Sequence, residues 1–237
     1  MPLRMLLLGV YFLGVALTGT VACLFRPFNP DNSRLCGNMF SWGAVRILGI
    51  KLIVEGQEHF ENMRPGIVIA NHQSNLDLFV HGAVIPRYTV SLGKKSLKYV
   101  PFFGQVYWLA GNILIDRGNR KESANTLSQV RDAIQKNGTS IWVFAEGTRN
   151  QGKGLLPFKK GAFRMAMQSE APIYPICAST YAGRLDYSKW HSGTVIVRVL
   201  PIIETKNLDS EMMPELITNT HTIMGKEIDA LDGRIAA

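Results

Sequence analysis

The run MLLLGVYFLGVALTGTVACLF, from Met5 to Phe25, holds no charged residue and is bracketed by Arg4 and Arg26. Nothing else in the chain constrains its fold as strongly. At ~1.5 Å of rise per residue, about 20 apolar residues span a hydrocarbon core of ~30 Å, so the run reads as a membrane-embedded helix. A cleaved signal peptide is one alternative, but it has a shorter apolar region and an A-x-A-like site, and only TVA before Cys23 offers one. TVAC is also a poor match to a lipoprotein cleavage site. A helix buried in a soluble core is the other alternative. Arg26, Arg34, Arg46 and Lys51 follow the run, against Arg4 alone before it, which predicts that the remainder faces the cytoplasm. Mean hydropathy is +0.06, high for a soluble chain, and this segment accounts for much of it.

Beyond the run, the Pro- and Asn-rich stretch RPFNPDNSRLCGN reads as a loop. MFSWGAVRILGI reads as a short helix whose Phe40 and Trp42 suit either a membrane interface or packing on the domain. Strand-like runs then alternate with helical ones. KLIVEG (51–56), GIVIAN (66–71), YTVSL (88–92), NILIDR (112–117), SIWVFAEG (140–147), PIYPIC (172–177) and TVIVRVL (194–200) are short, β-branched or aromatic, and bounded by turn residues. In RKESANTLSQVRDAIQKNG, Ala124, Leu127, Val130 and Ile134 recur at helical spacing, with Gly138 placed to end the helix. KKGAFRMAMQSE and SEMMPELITNTHTIMGKEIDAL (210–231) read as two more helices. The alternation predicts an α/β fold with a mixed, mostly parallel central sheet flanked by helices and an N-terminal membrane-embedded helical segment. Residues 1–50 are expected to form the anchor and an interfacial helix, and 51–237 the α/β domain.

The net charge of +8 is unevenly placed. Residues 82–164 hold fourteen Lys and Arg against four Asp and Glu, whereas 1–81 hold six against five and 165–237 six against nine. A basic middle third suits anionic lipid, phosphorylated small molecules or nucleic acid, or is simply a solvated face. Cys23, Cys36 and Cys177 are odd in number and lack C-x-x-C spacing, so they form neither a disulfide framework nor a zinc site.

Three polar clusters each follow a strand-like run: NHQSNLD after GIVIA, Asp116–Arg117 after NILI, and Glu146–Arg149 after SIWVFA. If those strands are parallel neighbours, the clusters meet beyond their carboxyl ends, where open sheets of this class bind ligands. In a continuous helix His72 and Asp77 would point about 140° apart. They meet only if His72 lies in the turn and Asp77 in the first turn of the helix, and the S-x-x-D pattern of Ser74–Asp77 predicts that boundary. An imidazole so held has one nitrogen fixed as donor and the other free to take a proton. Backbone N–H groups at the helix start would be available to negative charge. The alternative is a capping Asp with an incidental His.

No G-x-S-x-G elbow and no H-x-x-x-H appear, so neither a covalent serine nor a metal is expected. A base without an enzyme nucleophile suggests that the substrate brings its own, such as an alcohol. Arg117 suits phosphate through its planar fork, or else pairs with Asp116 as structural glue. FAEGTRNQGKG combines Gly-rich backbone with Glu146, Arg149 and Lys153, followed by Lys159 and Lys160, which fits an anion site but not a nucleotide P-loop.

Taken together, these stretches resemble the motifs of the glycerolipid acyltransferase family. NHQSNLD is similar to its N-H-x(4)-D motif, GNILIDR to G-x-x-F-I-D-R, FAEGTRN to F-P-E-G-T-R, and APIYPIC to its proline-flanked apolar strand, in the family's order across 107 residues. Leu114 stands where the family often has Phe and Ala145 where it usually has Pro; neither change removes a charged group. The resemblance implies acyl transfer from acyl-CoA or acyl carrier protein to the 2-hydroxyl of 1-acyl-sn-glycerol 3-phosphate (lysophosphatidic acid), giving phosphatidic acid in phospholipid biosynthesis. It implies His72 as general base, Asp77 orienting it, and no acyl-enzyme. Arg117, Glu146, Gly147, Thr148 and Arg149 would bind the substrate, with Lys153, Lys159 and Lys160 as additional phosphate contacts. It further implies no bound cofactor or metal, membrane lipids as partners rather than nucleic acid, and a place at the cytoplasmic face of a bacterial inner membrane.

Family members that acylate glycerol 3-phosphate, another lysophospholipid or a lipid A precursor share these motifs; the short length and FAEGTRN favour the lysophosphatidate acceptor. A membrane-tethered module that only binds anions would leave the order and spacing of the clusters unexplained.

Overall fold

The structure is a computed structural model describing residues 2–116 and 120–236, with side chains throughout that range except at 120–124. Among the described residues, seven strands form one sheet in the order β1-β7-β6-β2-β5-β3-β4. They are β1 (Ile50–Glu55), β2 (Ile67–Ala70), β3 (Thr89–Lys94), β4 (Ile113–Ile115), β5 (Ser140–Phe144), β6 (Ile173–Ala178) and β7 (Gly193–Val199). Every pairing is parallel except β6 with β7. The sheet is therefore mixed and mostly parallel, and each strand-like run of the sequence occupies one of its positions.

The central strands show why those runs lack strict alternation. All four residues of β2 are buried, as both faces of a parallel sheet are covered. Val68 and Ala70 face one core with Tyr174 and Ile176 of β6. Ile67 and Ile69 face the other with Ile173 and Cys177. Pro175 lacks a backbone N–H and falls in a gap on the β7 side. Its neighbours there are the Ile173–Ile203 bridge and the ladder that begins at Ile176–Val199.

Helices α1 (Pro2–Phe25), α2 (Asp31–Ile47), α3 (Asp77–Gly82) and α4 (Phe103–Leu109) supply the first core. Helices α5 (Arg120–Gln135), α6 (Lys160–Gln168) and α7 (Met213–Ala236) supply the second. On α1, Leu8, Val15, Ala16, Gly19 and Cys23 form a buried stripe against the rest of the chain. Leu3, Leu6, Leu7, Val10, Leu17, Val21 and Leu24 are exposed on its other sides. The helix is long and apolar enough to cross a membrane.

Two expectations change. Residues 31–38, expected as loop, are the first half of α2. The polar residues that suggest a loop instead start the helix. Pro30 stands at its boundary, Asn29 Oδ1 accepts from Asp31 N at 2.9 Å, and Asn32 Nδ2 donates to Arg26 O at 2.8 Å. The same half presses on α3 through two glycines, since a Cβ on Gly82 would stand 2.5 Å from Gly37 O. The last helix runs to Ala236 rather than 231, after a single turn of 3-10 helix at Ser210–Met212 capped by Asp209. Phe40 is buried in the core, whereas Trp42 is exposed with Arg46 stacked over its ring.

Candidate active site

The carboxyl ends of β5, β2 and β6 lie side by side, because these three strands are parallel neighbours with β2 in the middle. The segments that leave these ends therefore meet one another. After β2, the buried Asn71 continues the ladder with its side chain. Its Nδ2 donates to Ala178 O at 2.8 Å, and its Oδ1 accepts from Ala178 N at 2.8 Å. The chain then turns through His72–Leu76 into α3.

His72 and Asp77 meet at that turn: Nδ1 of the imidazole contacts Oδ2 of the carboxylate. The same oxygen accepts the N–H groups of Gln73 at 2.8 Å and Ser74 at 3.3 Å. Asp77 Oδ2 thus satisfies the Ser74 N–H as the S-x-x-D pattern predicts, whereas Ser74 Oγ accepts from Leu76 N at 3.0 Å rather than from Asp77, and the helix itself begins at Asp77. Of the N–H groups expected to be available at this helix start, those of Gln73, Ser74 and Leu76 have intramolecular acceptors and are not free for substrate.

The ring of His72 lies flat on Phe144, centroids 4.1 Å apart and planes 11° from parallel. Asp77 is 3% exposed, and the His72 side chain 20%. With Nδ1 engaged, Nε2 is the nitrogen left to act on a ligand. His81, on the same helix, is fully enclosed with Nε2 on Asn71 O at 3.1 Å. Burial lowers its pKa, with the charge of Asp77 acting in the opposite direction.

Glu146, just beyond β5, reaches across to this turn. Its Oε1 accepts from His72 N at 2.6 Å, and its Oε2 from Leu156 N at 2.9 Å and Asn150 Nδ2 at 3.2 Å. Burial pushes the Glu146 carboxyl up, and these donors act in the opposite direction. Asn150 N and Gln151 N donate to His72 O and Gln73 O, so the turn after β5 and the turn after β2 form one hydrogen-bonded unit. Gly147 sits at φ +72°, a left-handed conformation that favours glycine.

Thr148 and Arg149 are exposed. Arg149 lines a cavity of about 390 Å³ with Gln73, Ser74, Gln151 and Tyr187. A larger cavity, about 460 Å³, opens beside Pro65, Tyr88 and Ser140 at the amino ends of β2, β3 and β5. It lies at the opposite end of the sheet from the His72–Asp77 pair, and the smaller cavity is the one that belongs to the site. Lys153 and Lys159 lie on the loop after β5 and Lys160 begins α6, all three exposed. Arg117 falls outside the described residues; Asp116 is the residue after β4, two strands from β5 at the same edge.

Three contributors escape the sequence reading. Gln73, inside the first cluster, holds Tyr181 N on its Oε1 at 2.9 Å and donates from Nε2 to Ser179 O at 2.8 Å. Asn150 joins the two turns. Tyr181, three residues beyond β6, contacts Asp77 Oδ1 through its hydroxyl. Its only sequence signal is its place after a strand, the rule that locates the other clusters.

A family model described as Acyltransferase matches residues 51–179. The 1-acyl-sn-glycerol-3-phosphate acyltransferase of Escherichia coli (strain K12) is 40% identical over 233 residues, covering 98% of this chain and 95% of that protein. The protein of the same name from Haemophilus influenzae is 36% identical over 234 residues, with 99% and 97% covered. The crystal structure of the 1-acyl-sn-glycerophosphate acyltransferase from Thermotoga maritima superposes with a TM-score of 0.74 at 23% identity, covering 97% of each chain, and shares the fold.

Proposed function

Since the chain belongs to the acyltransferase family, we propose that it transfers an acyl group from acyl-CoA or acyl carrier protein to the 2-hydroxyl of 1-acyl-sn-glycerol 3-phosphate, giving phosphatidic acid. The observation that carries this reading is the His72–Asp77 contact beyond the central strand. Asp77 holds Nδ1, and Nε2 removes the proton of the acceptor hydroxyl as its oxygen attacks the thioester carbonyl. The C–O bond forms, the C–S bond breaks, and the imidazolium returns the proton to the departing thiolate. General-base help of this kind is worth ~10²–10⁴-fold. No acyl-enzyme is formed.

Arg149 holds the acceptor's phosphate in the cavity beside Ser74, and Arg117 adds a second guanidinium. Thr148, on the turn between Gly147 and Arg149, contributes a hydroxyl to the same acceptor, while Glu146 serves it by fixing the backbone of His72. Lys153, Lys159 and Lys160 provide diffuse positive charge for the phosphates of the donor. The exposed apolar sides of α1 bury in the bilayer, which supplies the 1-acyl-glycerol 3-phosphate acceptor. The basic residues that follow α1 support a position of the α/β domain at the cytoplasmic face of a bacterial inner membrane.

The test offers the purified protein one labelled acyl-CoA, or the acyl carrier protein thioester, with a panel of acceptors: 1-acyl-glycerol 3-phosphate, glycerol 3-phosphate, other lysophospholipids and a lipid A precursor. Label should enter the first alone, and His72→Ala and Asp77→Ala should each abolish it. Near wild-type turnover by both variants would sink the mechanism. Label in another acceptor would change the substrate but not the chemistry.

A further inference from the structure

We propose that Tyr181 is a positioning residue for the His72–Asp77 pair, holding the second oxygen of the Asp77 carboxylate through its hydroxyl. The inference rests on the general-base reading of His72. Asp77 has two oxygens with different surroundings. Oδ2 serves His72 and two backbone N–H groups. Oδ1 is met by the Tyr181 hydroxyl. The carboxylate is almost wholly buried, so water does not stand in for a missing partner.

The direction of that bond is fixed. Burial, and then the charge of Asp77, push the Tyr181 phenol above its usual range, so it stays protonated and donates. The donor is also held firmly. Tyr181 N and Ala182 N both donate to Gln73 Oε1, at 2.9 and 3.2 Å. Thr180 N donates to Asp232 on α7 at 2.6 Å. Tyr181 thus joins the strand-end segment after β6 to the turn that carries the base.

A carboxylate with one oxygen fixed to His72 is affected in two ways. The hydroxyl on Oδ1 prevents rotation about the Cβ–Cγ bond that would take Oδ2 from the imidazole. It also draws negative charge away from Oδ2, so the imidazolium is less favoured than it would be beside an undiluted carboxylate. The other titratable groups around the pair are His81 on α3, its pKa lowered by burial; Glu146 after β5, bonded to His72 N; and Tyr187 and Arg149 at the cavity.

The experiment compares wild type, Tyr181→Phe, 3-fluorotyrosine incorporated at 181, and His72→Ala, each in detergent micelles, with kcat and KM measured from pH 5 to 9. Tyr181→Phe keeps the ring in place and removes one hydrogen bond to a charged group, so kcat should fall about 10- to 100-fold with KM for both substrates little changed. The acid limb of its profile should move to higher pH. Fluorotyrosine, a stronger donor of nearly the same size, should move the limb to lower pH. A purely structural tyrosine would lower thermal stability without moving either limb, and that result would overturn the inference. Should the Phe variant fail to fold, the fluorotyrosine shift decides alone, and its absence counts against the proposal. His72→Ala separates the two layers: if it stays active the general-base reading fails, whereas if it is dead while the Tyr181 series matches wild type, only the role of Tyr181 fails.

Discussion

Glu146 accepts the backbone N–H of His72 at 2.6 Å across two neighbouring parallel strands, β5 and β2. The third sequence cluster therefore acts on the first through its backbone. Both oxygens of this carboxylate face protein donors, and His72 is held by its main chain as well as by Asp77. Glu146→Ala should leave the N–H groups of His72 and Leu156 without acceptors. Expected destabilisation is about 2–6 kcal/mol, from about 1–3 for each of the two orphaned groups, with a loss of kcat beyond what the reduced folded fraction explains. Glu146→Gln, which keeps one oxygen, should fall between. Thermal melts and kcat on the same preparations separate the two effects.

Helix α3 carries Asp77 at one end and Gly82 at the other, and Gly82 touches α2. A Cβ there would meet Gly37 O at 2.5 Å, a contact with backbone that side-chain motion does not relieve. Gly82→Ala should therefore push α3 off α2 and destabilise the protein by about 1–3 kcal/mol. Activity should fall because Asp77 moves with the helix. Gly37→Ala should be milder, since its added Cβ meets first the flexible end of Ile85, also at 2.5 Å. Equal effects from the two variants would contradict this account; melting temperature and kcat are the readouts.

Glu55, at the end of β1, bonds to Arg198 Nε at 2.9 Å and to Arg234 at 2.7 and 2.9 Å. These guanidiniums, Arg234 first, hold its carboxyl at about 2, down from 4.5. A lowered folded value stabilises the protein fully above the unfolded one, and the benefit disappears as pH falls from 4.5 towards 2. Glu55→Gln should thus lower the melting temperature at pH 7, by the equivalent of about 1–2 kcal/mol for a partly exposed network. The gap from wild type should narrow steadily as pH falls from 4.5 and close only below about 2. A gap of constant size across that range would show that the loss is packing rather than charge.

The strands are legible in the sequence because each is a short β-branched run closed by turn residues, and all seven strand-like runs correspond to strands. The convergence of clusters at one edge comes from parallel order alone. Residues 31–38 are less legible, because Asn, Asp and Ser signal a loop and a helix start equally well, and the packing of Gly37 on Gly82 decides between them. Tyr181 is invisible for a different reason. It lies 104 positions from Asp77, and no local pattern records a contact made by the order of strands. Nor does FAEGTRN reveal that its Glu faces inward and its Arg outward, since that split depends on the left-handed turn at Gly147.

Arg149 is exposed on the cavity beside Ser74 and, among the described residues, forms no ion pair. Such a guanidinium is free to take an anion, and its planar fork matches two phosphate oxygens at once. Arg149→Ala should raise KM for 1-acyl-glycerol 3-phosphate about 10- to 100-fold, the value of a charge-assisted contact, with a smaller change in the KM of the thioester. Arg149→Lys keeps the charge but not the fork, and should recover part of the loss. Because the site is open to solvent, wild-type KM for the phosphate acceptor should also rise with ionic strength, and the Ala variant should lose much of that dependence. Initial rates at about 50 and about 300 mM salt, which bracket a Debye length of ~10 Å, check both points. If Arg149→Ala instead lowers kcat with KM unchanged, the guanidinium acts on the transition state rather than on the bound phosphate, and the cavity must be reassigned.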